Sequence, residues 1–177
     1  MNRRIASIPF LFLFVGCAVG QMGGPPGPDL KKLDYFVGTW TSEGAIAQGS
    51  WGMGGKFSAT ATNDWLPGSF FLQTQSESKM PAELGGDSKA VMIMGYDTQQ
   101  NTYTSDRFSS LGQHETSKGT LSGDTWTWTS TSNYGGMEIQ GKMTIKTVSA
   151  TSYTFKYEVS MDGKNWMPFM DGKATKK

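Results

Sequence analysis

Residues 137–147 read MEIQGKMTIKT and residues 152–161 read SYTFKYEVSM, and these two stretches decide the fold class. Apolar and polar residues alternate along both of them with a period of two. This period is typical of antiparallel strands that have one buried face and one solvated face. The residues that share the apolar face are Met137, Ile139, Gly141, Met143, Ile145, Tyr153, Phe155, Tyr157, Val159 and Met161.

Shorter alternating runs precede them. DTWTWTST places Trp126 and Trp128 on one face, and NTYTSDRFSS places Tyr103 and Arg107 together on a less apolar face. AVMIMGYD, residues 90–97, is apolar on both faces, which predicts a strand that is covered on both sides or packed under a helix. KFSATATNDW and SFFLQTQSES, on either side of the Pro67-Gly68 turn, are further candidate strands. With the turn signals between them, the whole chain offers about ten candidate strands and an all-β barrel or sandwich. No second long helical pattern is present, so folds built from βαβ units are excluded.

The stretch LDYFVGTWTSEG, residues 33–44, favours the barrel over the sandwich. PDLKKLDYF predicts one or two helical turns that end at Gly38, and alternation begins there. A short helix can close one end of a barrel, with Trp40 packed beneath it as a barrel-closing residue, and closure removes exposed strand edges. We therefore predict an all-β fold, an antiparallel up-and-down barrel of about ten strands with a short N-terminal helix.

The first residues predict export. Arg3 and Arg4 precede the apolar run IASIPFLFLFVG, which has the length of a signal peptide, so we assign residues 1–20 to a signal peptide. Residues 21–29 form a Pro/Gly linker and residues 30–177 form the domain. FVGC offers an alternative in which Cys17 is lipidated, and an uncleaved membrane anchor is a third outcome. The protein is thus predicted to be periplasmic, secreted or an outer-membrane lipoprotein, with the membrane as a partner only through a lipid anchor.

Composition excludes other classes of partner. The formal net charge of the 177 residues is +1, so no basic excess is available for nucleic acid. Cys17 is the only cysteine, which excludes intrachain disulfides. Aromatic residues make up 12% of the chain and supply enough apolar area for a core.

Beyond these patterns the chain resembles a known family. The Gly-Thr-Trp opening is similar to the Gly-x-Trp opening of lipocalins and other calycin barrels. From about Leu30 to Lys177 the chain resembles the bacterial lipocalin-like family called domain of unknown function 1579. The matching pieces are LDYFVGTWTSEG, MGYDTQQNTYTSDRFSSLG, GDTWTWTS and SYTFKYEVSMDGKNWMPFMDGKATKK. The resemblance implies a calycin-like barrel and carries no residue roles.

No catalytic or metal-binding set is recognisable. His114 is the only histidine, so a His-rich zinc site cannot form. A single histidine could hold a haem, as in nitrobindin-like barrels, but His114 lies in the polar run GQHETSKG, which favours a solvated position. No nucleophile elbow occurs. We predict no metal, no cofactor and no catalysis.

The inward face then remains as the candidate site for a small apolar or amphipathic ligand. The predicted ligand-binding residues are Tyr103, Arg107, Trp126, Trp128, Met143, Ile145, Phe155 and Tyr157. Arg107 could orient an anionic head group, but we favour the alternative that it stacks on Trp40 and closes the barrel end. Two other functions stay open: an envelope interaction protein with a filled core, and a calycin-scaffold hydrolase or isomerase with His114 or Asp106 at a cavity mouth. The oligomeric state is not predicted.

Overall fold

A computed structural model describes residues 26–49, 53–134 and 136–177, with the side chains of residues 133 and 134 left aside. The predicted signal peptide, Cys17 and the first part of the linker lie outside the described residues. Among the residues that are described, no helix combines the length and apolar character needed to cross a membrane.

The chain enters the fold through a short helical segment. An α-helix, α1, spans Pro28–Lys31 and continues as a 3₁₀ turn over Lys32–Phe36; we call residues 28–36 the cap. Pro28 needs no amide partner in a first helical turn, and Asp29 pairs with Lys32 at 2.7 Å. Both residues fall within the stretch assigned to the linker, residues 21–29, and they also begin the run PDLKKLDYF for which helical turns were predicted. The chain leaves the helical conformation before Gly38, whose φ of 100° favours glycine.

Ten antiparallel strands form a closed barrel, as predicted. Strands that are consecutive in the sequence pair with each other in the sheet, and the last strand pairs with the first. The strands are β1 (Gly38–Gln48), β2 (Met53–Trp65), β3 (Leu72–Lys79), β4 (Ser88–Asp97), β5 (Thr102–Ser109), β6 (His114–Ser122), β7 (Thr125–Tyr134), β8 (Met137–Ser149), β9 (Ser152–Ser160) and β10 (Met167–Lys176). A 3₁₀ turn, Ala82–Leu84, lies between β3 and β4.

Inward-facing positions follow the predicted alternation in β7, β8 and β9. Trp126 is opposite Ile145, and Ile145 is opposite Phe155, so the predicted faces of the three strands coincide. Two predicted members of the face are wrong: Met137 is 46% and Met161 is 52% exposed. Met137 begins its strand and Met161 follows the end of β9, so both lie at the rim, beyond the layer that neighbouring strands cover.

The core lies between the cap and the strands. Leu33 of the cap is fully buried, and the buried cluster around it contains Leu30, Phe36, Leu72, Met94, Tyr103, Trp126 and Trp128. β4 passes under the cap at Met94, as predicted for AVMIMGYD, but its outer face is not covered at Val91, which is 38% exposed. The cap therefore supplies the apolar layer that closes one end of the barrel, which we call the capped end.

Two glycines let the first and last strands meet. Gly44 of β1 is opposite Gly172 of β10, and the same residues are opposite Phe57 and Phe155 on their other sides. A Cβ on Gly44 would lie 2.8 Å from the Phe57 ring, and one on Gly172 would lie 2.8 Å from the Phe155 ring. The two rings thus lie over the glycine pair, with centroids 5.9 Å apart, and fill the wall where side chains are missing.

Candidate functional site

Aromatic side chains fasten the cap to the barrel. The Trp40 indole is 2% exposed and donates a hydrogen bond from Nε1 to the Phe36 carbonyl at 2.8 Å. The Trp65 indole donates to the Asp34 carboxylate at 2.7 Å. Indoles are suited to this position because they bury a large apolar area and still need a partner for one N–H.

Tyrosines make the remaining ties. The Tyr103 hydroxyl donates to the Asp29 carbonyl at 2.9 Å, and the Tyr35 hydroxyl lies 2.8 Å from the Ser152 carbonyl. Burial raises the pKa of Tyr103 to about 12, with the nearby Asp29 charge acting in the same direction. Burial likewise raises the pKa of Tyr153 to about 12. The capped end is therefore an aromatic floor that holds its phenols in the neutral form.

Above this floor the barrel is hollow. The cavity has a volume of about 300 Å³. The alternative of a filled core predicts no such space. Its lining consists of Phe36, Trp40, Ala61, Asn63, Thr74, Ser76, Met92, Met94, Ser105, Arg107, Glu115, Ser117, Trp128, Ser130, Met143, Ile145, Tyr153 and Tyr157.

Larger depressions also mark the barrel wall. One of about 890 Å³ includes Lys56, Lys79 and Lys173 in its lining, and one of about 710 Å³ includes Glu43 and Glu77. They are more open to solvent than the internal cavity and are rich in charged groups. The internal cavity is smaller, and its surface is mainly apolar with polar groups at defined positions, which is the usual character of a small-molecule site.

Polarity changes along the cavity. On β5 the inward residues after Tyr103 are Ser105 and Arg107, so Arg107 lies four residues, or about 13 Å along the strand, beyond Tyr103 in the direction away from the cap. Trp128, Met143 and Ile145 lie nearer the cap. The cavity is thus apolar toward the cap and polar away from it, which suits an amphipathic molecule.

A row of hydroxyls crosses the polar half. The Ser105 and Ser117 hydroxyl oxygens are 2.6 Å apart, and Ser130 is the next inward residue across the sheet. Gly141 follows Ser130 in register, and the Tyr157 side chain lies over it. A Cβ on Gly141 would collide with the Tyr157 hydroxyl and would lie 2.7 Å from the Ser130 hydroxyl oxygen. Glycine at this position lets Tyr157 reach the row.

Arg107 and Glu115 are the two charged residues of the lining. They are directly opposite each other on β5 and β6. Both act on the Tyr157 phenol: burial raises its pKa, the Glu115 carboxylate raises it further, and hydrogen bonding to Ser130 and the Arg107 charge oppose the rise. The guanidinium, the carboxylate and the phenol therefore share one region of the cavity.

Arg107 does not take the structural role that we favoured from the sequence. In the described part of the chain, the cation over Trp40 is Lys176, whose Nζ lies 5.7 Å from the ring centroid. Lys176 is opposite Trp40 in register, so the last strand brings its ammonium group to that ring. Arg107 projects into the cavity.

The structure brings five of the predicted ligand-binding residues to the cavity wall, namely Arg107, Trp128, Met143, Ile145 and Tyr157. The other three lie elsewhere. Tyr103 and Trp126 belong to the buried cluster beneath the cap, with ring centroids 4.7 Å apart. Phe155 faces inward but packs on Phe57 over the glycine pair.

Sequence reasoning missed the polar half of the wall. Glu115 and Ser117 lie in GQHETSKG, where no apolar residue marks the inward face. The usable signal was the register: once Tyr103, Ser105 and Arg107 face inward, the antiparallel partners on β6 must face inward too. Asn63 and Thr74 were missed for the same reason, and their side chains hydrogen-bond to each other within the wall.

His114 and Asp106 do not lie at a cavity mouth, so that version of an enzyme site is wrong. Both alternate with inward-facing residues and point outward. The His114 ring stacks on Phe108 at 4.5 Å, and Nε2 lies 3.1 Å from the Asp106 carboxylate. Hydrogen bonding to His114 and Thr116 holds the pKa of Asp106 below its usual value. Among the described residues, no three His, Cys, Asp or Glu side chains converge as metal ligands.

A capped, closed antiparallel barrel with an internal cavity places the protein in the lipocalin-like, calycin class of folds. The chain belongs to the family described as a protein of unknown function, DUF1579, whose pattern matches residues 25–176. No curated protein gave a significant sequence match.

Solved structures share the fold at low sequence identity. Rv2717c from M. tuberculosis superposes with a TM-score of 0.61 and 11% identity, over 86% of this chain and 99% of that one. The S-type phycobiliprotein lyase CPES from Guillardia theta superposes with a TM-score of 0.58 and 7% identity, over 83% of this chain and 91% of that one. At these identities the likeness concerns the fold.

Proposed function

We propose that this protein binds a small apolar or amphipathic molecule inside the barrel and does not transform it. The observation that carries the proposal is the cavity of about 300 Å³, whose wall toward the cap is aromatic and rich in methionine. This volume is about twice that of the roughly 150 Å³ apolar cavity that holds a benzene molecule. A ligand with a body of one or two rings, or an acyl chain of similar volume, would fit.

The wall favours binding over a solid core. Met92, Met94 and Met143 are unbranched and adapt to irregular apolar shapes, and Trp128 offers a flat surface. The Trp128 ring lies against Gly119, where a Cβ would be 2.6 Å from the indole. This close packing holds the indole at the wall and leaves the cavity free.

Binding can be tested with the neutral fluorophore N-phenyl-1-naphthylamine. We expect its emission to rise on binding, with energy transfer from tryptophan. Ala61→Phe adds a phenyl group to the cavity wall and fills about half of the space, because a benzene ring occupies a cavity of roughly 150 Å³. Its affinity for the fluorophore should fall at least about tenfold, the equivalent of about 1.4 kcal/mol.

Thr60→Phe is the matched control. Thr60 precedes Ala61 on β2 and faces outward, so the same aromatic ring is added outside the cavity. Its affinity should equal that of the wild type. If Ala61→Phe and the wild type bind the fluorophore equally well, the binding site is not the cavity.

We further propose that the protein is exported, through the predicted signal peptide at residues 1–20 or through lipidation at Cys17. The intact mass of the protein recovered from its native cell envelope distinguishes the routes. Cleavage leaves a chain that begins at Gln21, lipidation adds acyl mass to a chain that begins at Cys17, and an unprocessed chain contradicts both.

A further inference from the structure

The two charged residues of the cavity are not paired with each other. Directly opposite residues on antiparallel strands have Cβ atoms about 4.5–5.5 Å apart, and opposite charges at such positions ordinarily attract. Arg107 and Glu115 occupy such positions. Yet among the described residues neither forms an ion pair, although five lysine–carboxylate pairs form elsewhere.

Their charged atoms are also within reach of a ligand. Every buried side-chain nitrogen or oxygen of the described residues has a hydrogen-bond partner. Asn63 with Thr74, and Ser105 with Ser117, satisfy one another inside the wall. Arg107 and Glu115 are both half-buried and both line the cavity, so a cation and an anion face the space side by side.

We propose that the ligand carries, at one end of an apolar body, a hydrogen-bond acceptor for Arg107 and a donor for Glu115, with no net charge between them. The proposal rests on the proposed function and specifies the polar end of its ligand. A primary carboxamide is the simplest group of this kind, and a zwitterionic amino acid group is another.

Charge balance is the reason for a neutral head. A carboxylate would gain a bidentate contact with the guanidinium but would face the Glu115 carboxylate, and an ammonium group would meet the reverse situation at Arg107. A group that accepts from the guanidinium and donates to the carboxylate satisfies both charges. Leaving either one desolvated and unpaired would weaken binding by about tenfold or more.

The apolar body would then point toward the cap. Trp128, Met143 and Ile145 lie on the cap side of the charged pair. The Tyr157 hydroxyl, held in its neutral form, lies beside the pair and can accept or donate a further hydrogen bond. The polar end is therefore expected away from the cap, and the ring or chain within the aromatic half.

Three probes with one apolar body test the inference: 2-naphthamide, 2-naphthoate and 2-(aminomethyl)naphthalene. Their affinities are measured by calorimetric titration of the whole protein at pH 7. We expect the wild type to bind the amide about tenfold or more tightly than either charged probe, the difference expected when one buried charge is left unsatisfied.

Two variants that each remove one of the charges should change the relative affinities for the three probes in opposite directions. Arg107→Gln leaves the Glu115 carboxylate alone and should shift preference toward the amine by about tenfold. Glu115→Gln leaves the guanidinium alone and should shift preference toward the naphthoate by a similar factor. Lys118→Gln, on the outer face of β6, removes a positive charge outside the cavity and should keep the wild-type order.

The outcomes separate the two proposals. If the probes bind the wild type with no preference, and the variants leave the order unchanged, the inference about the head group is overturned while ligand binding stands. If neither the probes nor the fluorophore binds the folded protein, both are overturned. Urea denaturation of each variant verifies that the barrel has folded.

Discussion

Gly141 provides the sharpest test of the wall geometry, because its missing Cβ is what admits Tyr157 to the hydroxyl row. In Gly141→Ala the new methyl group would collide with the Tyr157 hydroxyl, lie 2.7 Å from the Ser130 hydroxyl oxygen and lie 2.9 Å from the ring carbon that bears the hydroxyl. These groups belong to packed strands and cannot separate freely. Overpacking of this kind costs about 1–3 kcal/mol.

The size of the effect can be assigned to Tyr157 by a double-mutant cycle. Tyr157→Phe alone loses a hydrogen bond and should cost about 1 kcal/mol. In Gly141→Ala/Tyr157→Phe the collision with the hydroxyl is gone, although the ring carbon remains close. The double variant should therefore be more stable than the sum of the single effects by about 1 kcal/mol.

Urea denaturation followed by tryptophan fluorescence measures all four proteins. Gly49→Ala is the control, because nothing lies within 4 Å of a Cβ there and its φ needs no glycine. The free energy of unfolding of Gly49→Ala should equal that of the wild type or exceed it by about 0.4–1 kcal/mol, since alanine restricts the unfolded chain. If the two effects in the cycle simply add within about 0.5 kcal/mol, Tyr157 does not lie over Gly141.

Two further predictions concern the capped end. Leu33→Ala should lower the free energy of unfolding by about 2–5 kcal/mol, because Leu33 is a fully buried residue of the cap. Leu111→Ala, at a side chain 47% exposed, should change it by less than about 0.5 kcal/mol. Urea denaturation compares the two variants, and equal effects would mean that the cap does not pack on the barrel. Alkaline pH should destabilise the fold, because the phenols of Tyr103 and Tyr153 have an ordinary pKa of 10.0 that burial raises to about 12. Their stabilising contribution is complete below pH 10 and is lost as the pH rises toward 12. Unfolding free energies at pH 9 and 11.5 measure this loss, and Tyr103→Phe should show a smaller loss than the wild type; an identical loss would contradict the burial of that phenol.

Local alternation predicted β7, β8 and β9, because each of these strands has one covered face, but it did not mark β6 or β10. The run around Met143 and the run around Phe155 read correctly since every second side chain enters the same interior. The ends of runs read less well. Met137 and Met161 continue the pattern, but both lie at the rim and are exposed there.

The polar half of the site could not be predicted from local patterns. Glu115 faces the interior because β6 pairs with β5 in one register, and that register is a property of the whole sheet. Likewise Lys176 reaches Trp40 only after β10 has paired with β1. The residues near Trp40 in the sequence therefore do not predict that Lys176 lies over its ring. Arg107 was predicted among the inward residues. Whether it binds a ligand or stacks on Trp40 could not be predicted, because that depends on which cation the closed barrel brings to Trp40.

The pairing of Gly44 with Gly172 has a consequence for how the chain is made. Nine strand pairs join strands that are consecutive in the sequence and can form as the chain emerges. The tenth pair, β1 with β10, joins the two ends of the domain. Synthesis must deliver the final strand before the barrel can close. Until then the edges of β1 and β9 stay available to other chains. A chain truncated within residues 167–176 should therefore aggregate instead of forming a slightly shortened barrel.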